Sequence, residues 1–358
     1  MTAEPATPLN ADDRDPGELR PGEWLSAHVY HAGDRDPLLV ECVAPLFARL
    51  RAEGLADGCY FLRHWLEGPH LRLRIRPASD IEDTLPRVRE EVETAVHAYL
   101  RDTPSHYTPE SDLSDAQYRQ RFLLEFSEEQ WQERYGPELV RMPRRPNDSL
   151  AYVAYEPELE RYGGPAGVEL AEWQADRSGA LVLELLESAD TRVTSVRLGL
   201  TGQVMAALAL GVLEDVPRTL AFLEWRVASW EHLFRDRHAE YEAAYRRMAP
   251  SLGARVEALY EGVVRGRTER LPGFVRRWAE HGAELRGRID EAAERGELRF
   301  RMPDGSGGTA VRAVSARDAR TALLATFTHM TCNRLGVTVG SEDYLGYVLS
   351  AAFRDRLS

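Results

Sequence analysis

The sequence is poor in cysteine. Cys42, Cys59 and Cys332 lie far apart, are odd in number and form no CxxC pair. A disulfide framework usually needs an even number of cysteines, and the common zinc sites need closely spaced ones. The pattern argues against both kinds of site. It fits a reducing cytoplasm, which is the predicted location.

The sequence also lacks the common cofactor motifs and any surplus of positive charge. It has no phosphate loop, dinucleotide fingerprint or HExxH motif, so we predict no cofactor and no metal. Its 45 basic residues against 58 acidic ones argue against non-specific binding to nucleic acid or to an anionic membrane. No apolar run approaches the ~20 residues that cross a bilayer. Residues 1–22 lack the apolar stretch of a signal peptide.

Hydrophobic periodicity and turn residues predict the elements of the fold. Residues 1–22 are predicted to be a flexible arm, and residues 23–358 a single catalytic domain, with a kink at Pro45 and a mobile glycine-rich loop at 303–308. Strands are predicted over 23–31, 58–68, 68–77, 149–157 and 297–302. Helices are predicted over 36–54, 80–102, 166–187, 191–212, 217–247, 252–264, 272–295, 315–335 and 341–354, with a further helical part inside 118–131. The fold class is α+β, with a small antiparallel sheet packed with helices and then a largely helical remainder.

The stretch GPHLRLRIRP at 68–77 alternates polar and apolar residues. A strand would place His70, Arg72, Arg74 and Arg76 on one face. One interpretation is a solvated outer face whose arginines pair with carboxylates such as Glu67. The other is an anion pocket, because guanidinium groups bind carboxylates and peptide carbonyls in a forked geometry. Spacing alone leaves both open.

Two residues of the preceding strand belong to the same question. Arg63 and Trp65 lie on the strand that should pair with GPHLRLRIRP, so a mixed cleft of arginine and aromatic side chains is predicted as one alternative. The other alternative for Trp65 is a plain core position.

The stretch AYEPELERYGGP at 154–165 places Tyr155, Arg161 and Tyr162 ahead of two glycines. The glycines would let the backbone pass close to another group, or they simply form a turn before a helix. Farther along, THMTCNRLGV at 328–337 places His329 and Asn333 one helical turn apart. Asn333 could orient the imidazole, which could then act as an acid or base. A structural histidine is the alternative.

Four stretches together resemble one family. WLSAHVYH, FLRHWLEGPHLRLRIR, YEPELERYGGP and HMTCNRLGV occur in the order seen in the lanthipeptide dehydratase C-terminal family. The resemblance covers about residues 23 to 350. It implies the fold of the dehydratase elimination domain. It also implies a ribosomally made precursor peptide, with leader and modified core, as the substrate and main partner.

One branch of this family removes a glutamyl ester to form dehydroalanine. In that branch an arginine precedes the glutamate of the YxxExxRYGG stretch, whereas this chain has Pro157 there. The departure makes simple glutamate elimination less favoured, although a split elimination lyase remains an alternative. A peptide-binding subunit without catalytic activity is a second alternative.

The chain resembles more closely the standalone pyridine synthases of thiopeptide maturation. That branch implies a formal [4+2] cycloaddition between two dehydroalanines, followed by loss of water and of the leader peptide. The catalytic residues implied are His329 first, and then Tyr155, Tyr162 and Asp176, although Asp176 could equally be a helix-surface residue. The substrate-binding residues implied are Arg63, Arg72, Arg74, Arg161, Asn333 and Trp65. Other enzymes of the pathway are expected partners, and a homodimer is the family-based expectation.

Overall fold

The computed structural model describes residues 19–105, 114–139, 141–303 and 308–357. Contacts divide the chain into two compact units, Met1–Glu156 and Pro157–Ser358. Most of the predicted arm, and most of the predicted loop at 303–308, lie outside the described residues. A single catalytic domain over 23–358 stays a prediction.

The first unit contains a four-stranded sheet in the order β2-β3-β1-β4, with each neighbouring pair antiparallel. Its strands are β1 Leu25–Tyr30, β2 Ala56–His64, β3 His70–Pro77 and β4 Ser149–Tyr152. The alternating pattern of 68–77 therefore forms a central strand, as the two-residue period predicted. β4 ends earlier than predicted, at Tyr152 rather than next to Pro157.

The described residues of the first unit also form helices. They are α1 Arg35–Pro37, α2 Ala44–Ala52, α3 Ile81–Asp102, α4 Asp115–Glu125 and α5 Glu128–Tyr135. Helices α2 and α3 pack against the strands. A π-helical segment, Leu38–Val43, joins α1 to α2 just ahead of Pro45, where a kink was predicted.

Helices α4 and α5 form where the sequence was hardest to interpret, and each begins with a capping box. Ser114 and Ser127 accept hydrogen bonds from the backbone N–H of Gln117 and Gln130, whose side chains reach back. Each box satisfies two backbone donors that the first turn of a helix leaves open. The helices bury an aromatic cluster of Trp65, Leu66, Tyr118, Phe122, Trp131, Tyr135 and Met142.

The second unit is mostly helical. Its helices are α6 Leu159–Tyr162, α7 Pro165–Ser188, α8 Thr194–Leu213, α9 Val216–Phe234, α10 His238–Leu259, α11 Gly273–Glu294, α12 Ala316–Arg334 and α13 Val339–Leu357. A hairpin of β5 Arg299–Pro303 and β6 Thr309–Ala313 stands apart from the main sheet. The α+β class is confirmed.

Helix α8 lies in the core of the second unit. It is long and apolar enough to cross a membrane by length and composition, but 67% of its apolar window is buried inside the protein. The prediction that no apolar run approaches the length of a membrane span is therefore wrong for α8. Close packing explains the burial, because Gly211 of α8 and Gly282 of α11 meet where a side chain on either would strike the other helix.

Two predicted boundaries in this unit are wrong. The break expected near residue 250 lies instead at Arg235–Arg237, a 3₁₀ turn, and α10 runs through Pro250. Pro250 is exposed, so its missing N–H removes a hydrogen bond only on the solvent side. Strand β6 was not predicted because all five of its residues are exposed and show no alternation.

Candidate functional site

Strand pairing places polar side chains from three strands together on one side of the main sheet. Arg72 pairs with His28, Arg74 pairs with Ser26, and His70 lies opposite both Tyr30 and His64. Paired residues share a face. We call this the polar sheet face, and its polar residues are Ser26, His28, Tyr30, Tyr60, His64, His70, Arg72, Arg74 and Arg76.

Arg74 is the most unusual residue of the polar sheet face. It is 5% exposed, and its guanidinium carbon lies 5.3 Å from the centre of the Tyr155 ring. In the described part of the chain no carboxylate pairs with it, and its Nε has no hydrogen-bond partner. Burial lowers the pKa of Arg74. The solvated-face interpretation is therefore wrong for this residue.

Three neutral histidines surround the arginines. The His70 ring centre lies 4.9 Å from that of His28 and 5.3 Å from that of His64. The His70 Nδ1 donates to the Gly68 carbonyl at 2.8 Å, so its Nε2 accepts from the Arg72 Nε at 3.3 Å. Burial, reinforced by Arg72, lowers the pKa of His70 to about 3 and the pKa of His64 well below its usual range. The polar sheet face therefore presents positive arginines beside uncharged imidazoles.

Two residues predicted to join this face point elsewhere. Arg63 pairs with Leu71 on the opposite side of the sheet and forms an ion pair with Asp36 at 2.5 Å. Trp65 packs in the aromatic cluster, with the Arg121 guanidinium 4.6 Å from its ring centre. Their substrate-binding roles stay predictions, while their contacts are those of structural residues.

Replacing Arg74 by methionine is expected to separate stability from binding. A buried charge without a carboxylate partner costs folding free energy, so an apolar side chain of similar length should stabilise the protein by about 1–3 kcal/mol. Peptide binding should weaken at the same time, while Arg74→Lys tests whether the forked geometry matters. Urea unfolding and titration with a labelled peptide measure the two effects. A destabilised Arg74→Met variant would contradict this view of the site.

In the second unit, His329 is hydrogen-bonded to a buried ion pair. Its Nδ1 lies 2.8 Å from the Oε2 of Glu342, which is 2% exposed. The other oxygen of Glu342 forms a close ion pair with Arg226, which also donates to the Ala325 carbonyl. A carboxylate accepts hydrogen bonds only, so the Nδ1 carries the proton and the lone pair lies on Nε2.

The surroundings keep the His329 imidazole neutral. Burial lowers the pKa of His329 to about 4, and the positive charges of Arg226 and Arg161 act in the same direction. Glu342 pulls the other way, but its charge is shared with Arg226. The side chain is still 31% exposed. His329 therefore combines a fixed tautomer and a free base with access from solvent.

The RYGG stretch lies in the same unit. Arg161 forms an exposed ion pair with Glu158 at 3.0 Å, and the Tyr162 ring stacks on Phe327 at 6.0 Å, two residues before His329. Both alternatives given for the glycines apply to Gly163, which ends the short helix α6 and also lies close to another side chain. Gly163 has a φ of 79°, and a Cβ there would lie 2.7 Å from the ring of Phe300.

The sequence predicted the imidazole but not its partners. The orienting group proposed was Asn333, whereas the Nδ1 of His329 donates its hydrogen bond to Glu342. Asp176 is half-buried on α7. The signals that could have pointed to the partners were Arg226, at a position of α9 in line with the apolar Phe222 and Leu223, and Glu342 in the first turn of α13.

The described residues contain no group of three or more histidine, cysteine, aspartate or glutamate side chains that could hold a metal ion. All three cysteines are buried thiols and not disulfides.

Residues 24–353 match the family described as "Lantibiotic biosynthesis dehydratase C-term". The chain belongs to this family. Solved structures of two proteins share the family fold seen here. "Pyridine synthase, TbtD, from thiomuracin biosynthesis" is 23% identical, with a TM-score of 0.69, and the match covers 93% of this chain and 98% of that one. TsrL is 16% identical, with a TM-score of 0.67, and the match covers 94% and 95%. No curated protein sequence is significantly similar.

Proposed function

We propose that this protein is a thiopeptide pyridine synthase. Its substrate would be a leader-bearing, azole-containing peptide with two dehydroalanines. One dehydroalanine amide tautomerises to an iminol and becomes an azadiene, and two new C–C bonds to the second dehydroalanine close a six-membered ring. Loss of water, and then of the leader as its carboxamide, leaves a pyridine within a macrocycle.

The observation that carries this proposal is the neutral, oriented imidazole of His329. Its Nε2 can take the amide N–H proton during tautomerisation, because the Nδ1 proton is fixed on Glu342. The imidazolium so formed is a strong acid, since its pKa is about 4, and it can pass this proton to the carbonyl oxygen, which completes the iminol and restores the free base. The same residue therefore serves both proton transfers.

Holding the two dehydroalanines together supplies much of the remaining effect. Bringing distant residues of a flexible peptide into register can be worth about 7–11 kcal/mol in favourable cases. On the polar sheet face, Arg72 and Arg74 would bind carbonyls or carboxylates of the peptide, with Tyr155 against the second of them. Tyr162 and Asp176 are proposed as further proton-handling groups, and Arg161 and Asn333 as further peptide contacts.

The chain has few nucleophilic side chains that an electrophilic substrate could modify. The sequence contains no lysine. Burial raises the pKa of the Cys42 thiol to about 11 and that of Cys332 to about 12, and Cys59 is also buried. Thiolates and free amines add to the CH₂ carbon of dehydroalanine, so buried thiols and the lack of lysine side chains protect the chain from modification by its own substrate.

Intact-mass measurement tests whether the chain resists modification by dehydroalanine. After prolonged incubation with a dehydroalanine peptide the protein should keep its mass, whereas an Ala243→Cys variant, at an exposed position of α10, should gain a thioether adduct. Modification of the native cysteines would contradict the prediction.

A split glutamate-elimination lyase is the second candidate, supported by membership of the dehydratase family. Pro157, where an elimination enzyme would have an arginine, favours the cyclase. The two functions need different substrates: the cyclase converts a peptide that already contains two dehydroalanines, and the lyase converts only a glutamylated peptide. A protein that binds both peptides and converts neither is a delivery subunit.

We propose that the protein works in the cytoplasm as a homodimer. Its proposed partners are the precursor peptide and other enzymes of the pathway.

A further inference from the structure

Helix α9 exposes a tryptophan that has no proposed role in catalysis. Trp225 is 52% exposed, and its ring centre lies 6.4 Å from that of the buried Phe222 one turn earlier. Exposed indoles are uncommon on protein surfaces and common at recognition sites. The two rings mark one wall of a surface groove.

This groove lies within the second unit, between α9 and the start of α12. It has a volume of about 160 Å³. Its apolar wall comes from α8 and α9, and its polar rim carries three arginines, Arg218, Arg317 and Arg320. An apolar floor with a charged rim is the form of a peptide-docking site.

The charges on the rim decide which kind of peptide fits. Arg320 is neutralised by Asp290 and Glu214. In the described part of the chain Arg218 and Arg317 have no carboxylate partner for their guanidinium groups, and the only bond of Arg218 to an acidic residue is through its backbone N–H. On a protein of net charge −13, this pair forms a local positive site beside an exposed indole. It is complementary to an acidic segment with one large apolar side chain.

The carboxylates nearest in sequence do not fill this role. Asp215 caps α9 by accepting from the backbone N–H of Arg218 at 2.8 Å, and Asp318 bonds to the Ser315 hydroxyl at 2.7 Å. Both acidic side chains are committed to helix starts. The two rim guanidinium groups remain available.

The groove is connected to the imidazole site. The Arg226 guanidinium, which holds Glu342, lies 5.8 Å from the centre of the Phe222 ring. Thr321 lines the groove and precedes His329 by eight residues on α12, which corresponds to about 12 Å along the helix axis. About four extended peptide residues span that distance.

We propose that the groove between α9 and α12 docks an acidic segment of the leader peptide through one apolar side chain beside Trp225 and carboxylates on Arg218 and Arg317. The inference rests on the proposed function, because it assigns this groove to the leader and the imidazole site to the core peptide. Docking the leader here would raise the local concentration of the core peptide near His329.

Fluorescence anisotropy of a labelled synthetic peptide tests the docking site on the full chain. The probe is a short glutamate-rich peptide with one phenylalanine. Trp225→Ala, and separately Arg218→Glu with Arg317→Glu, should each weaken its binding about tenfold or more. Arg247→Glu makes the same type of charge change at an exposed arginine of α10 and should leave binding within about twofold. Equal thermal midpoints show that the variants are folded.

Several results would overturn the proposal. They are no binding of the probe by the native chain, equal binding by all variants, or an equal loss in Arg247→Glu. Cyclisation is measured separately with leader-bearing peptide. Groove variants that bind poorly but cyclise with unchanged KM would end the docking proposal alone. A native chain that binds the probe but forms no ring would end the proposed function alone.

Discussion

Replacing His329 by alanine should lower turnover by about 10²–10⁴-fold, the usual contribution of a positioned acid–base group. The variant should fold normally, because the imidazole is partly exposed. Peptide binding should change little, so the loss should appear in kcat. An equivalent change at His97, which is exposed on α3, provides the matched control and should leave turnover unchanged.

Changing Glu342 to glutamine tests the partner of that imidazole. The amide oxygen can still accept the Nδ1 proton, but Arg226 loses its counter-charge. Turnover should therefore fall less than in His329→Ala. The acid limb of the pH–kcat profile, set by a pKa of about 4 in the native chain, should move further down. Full activity in His329→Ala would remove His329 from the mechanism.

Acid should destabilise this protein strongly, because several histidines are buried in the neutral form. Burial lowers the pKa of His70 and of His281 to about 3 and that of His28 well below its usual range. The unfolded chain binds these protons near pH ~6.5, whereas the folded chain resists them. The stability they contribute is complete above that pH and is lost as the pH falls toward the folded values.

The expected loss is large for a marginally stable protein. Each of these three histidines, and likewise His64 and His329, should contribute about 1.4 kcal/mol between about pH 7.5 and about pH 5.5, so the five together contribute about 7 kcal/mol. Urea unfolding followed by tryptophan fluorescence measures it. His281→Phe, which keeps a ring beside Trp173, should remove about a fifth of the pH dependence that these histidines cause. The exposed His97→Phe should leave it unchanged. A stability curve that is flat over this range would contradict the burial of neutral imidazoles.

The sequence predicted the polar sheet face but not its environment. Alternation in HLRLRIRP placed Arg72 and Arg74 on one side of a strand, and pairing in the structure confirms this. Alternation cannot tell a dry polar face from a wet one, because both give the same period. The burial of Arg74 and the stacking of His28 on His70 depend on neighbouring strands that the local pattern does not contain.

The imidazole site was likewise predicted only in part. His329 was predicted as the acid–base residue from a local stretch and a family resemblance. Glu342 and Arg226 were missed because they come from α13 and α9, and only tertiary packing brings them to α12. Contacts within one helical turn can be predicted from spacing, whereas contacts between helices cannot.

The most direct test of the central claim is one reaction followed by mass spectrometry. The purified protein is incubated with a leader-bearing, azole-containing peptide that carries two dehydroalanines, and in parallel with the glutamylated form of that peptide. The account predicts a pyridine macrocycle and a free leader that ends in a carboxamide, both from the first peptide alone. Recovery of the first peptide unchanged, with dehydroalanine formed from the glutamylated one, would contradict it.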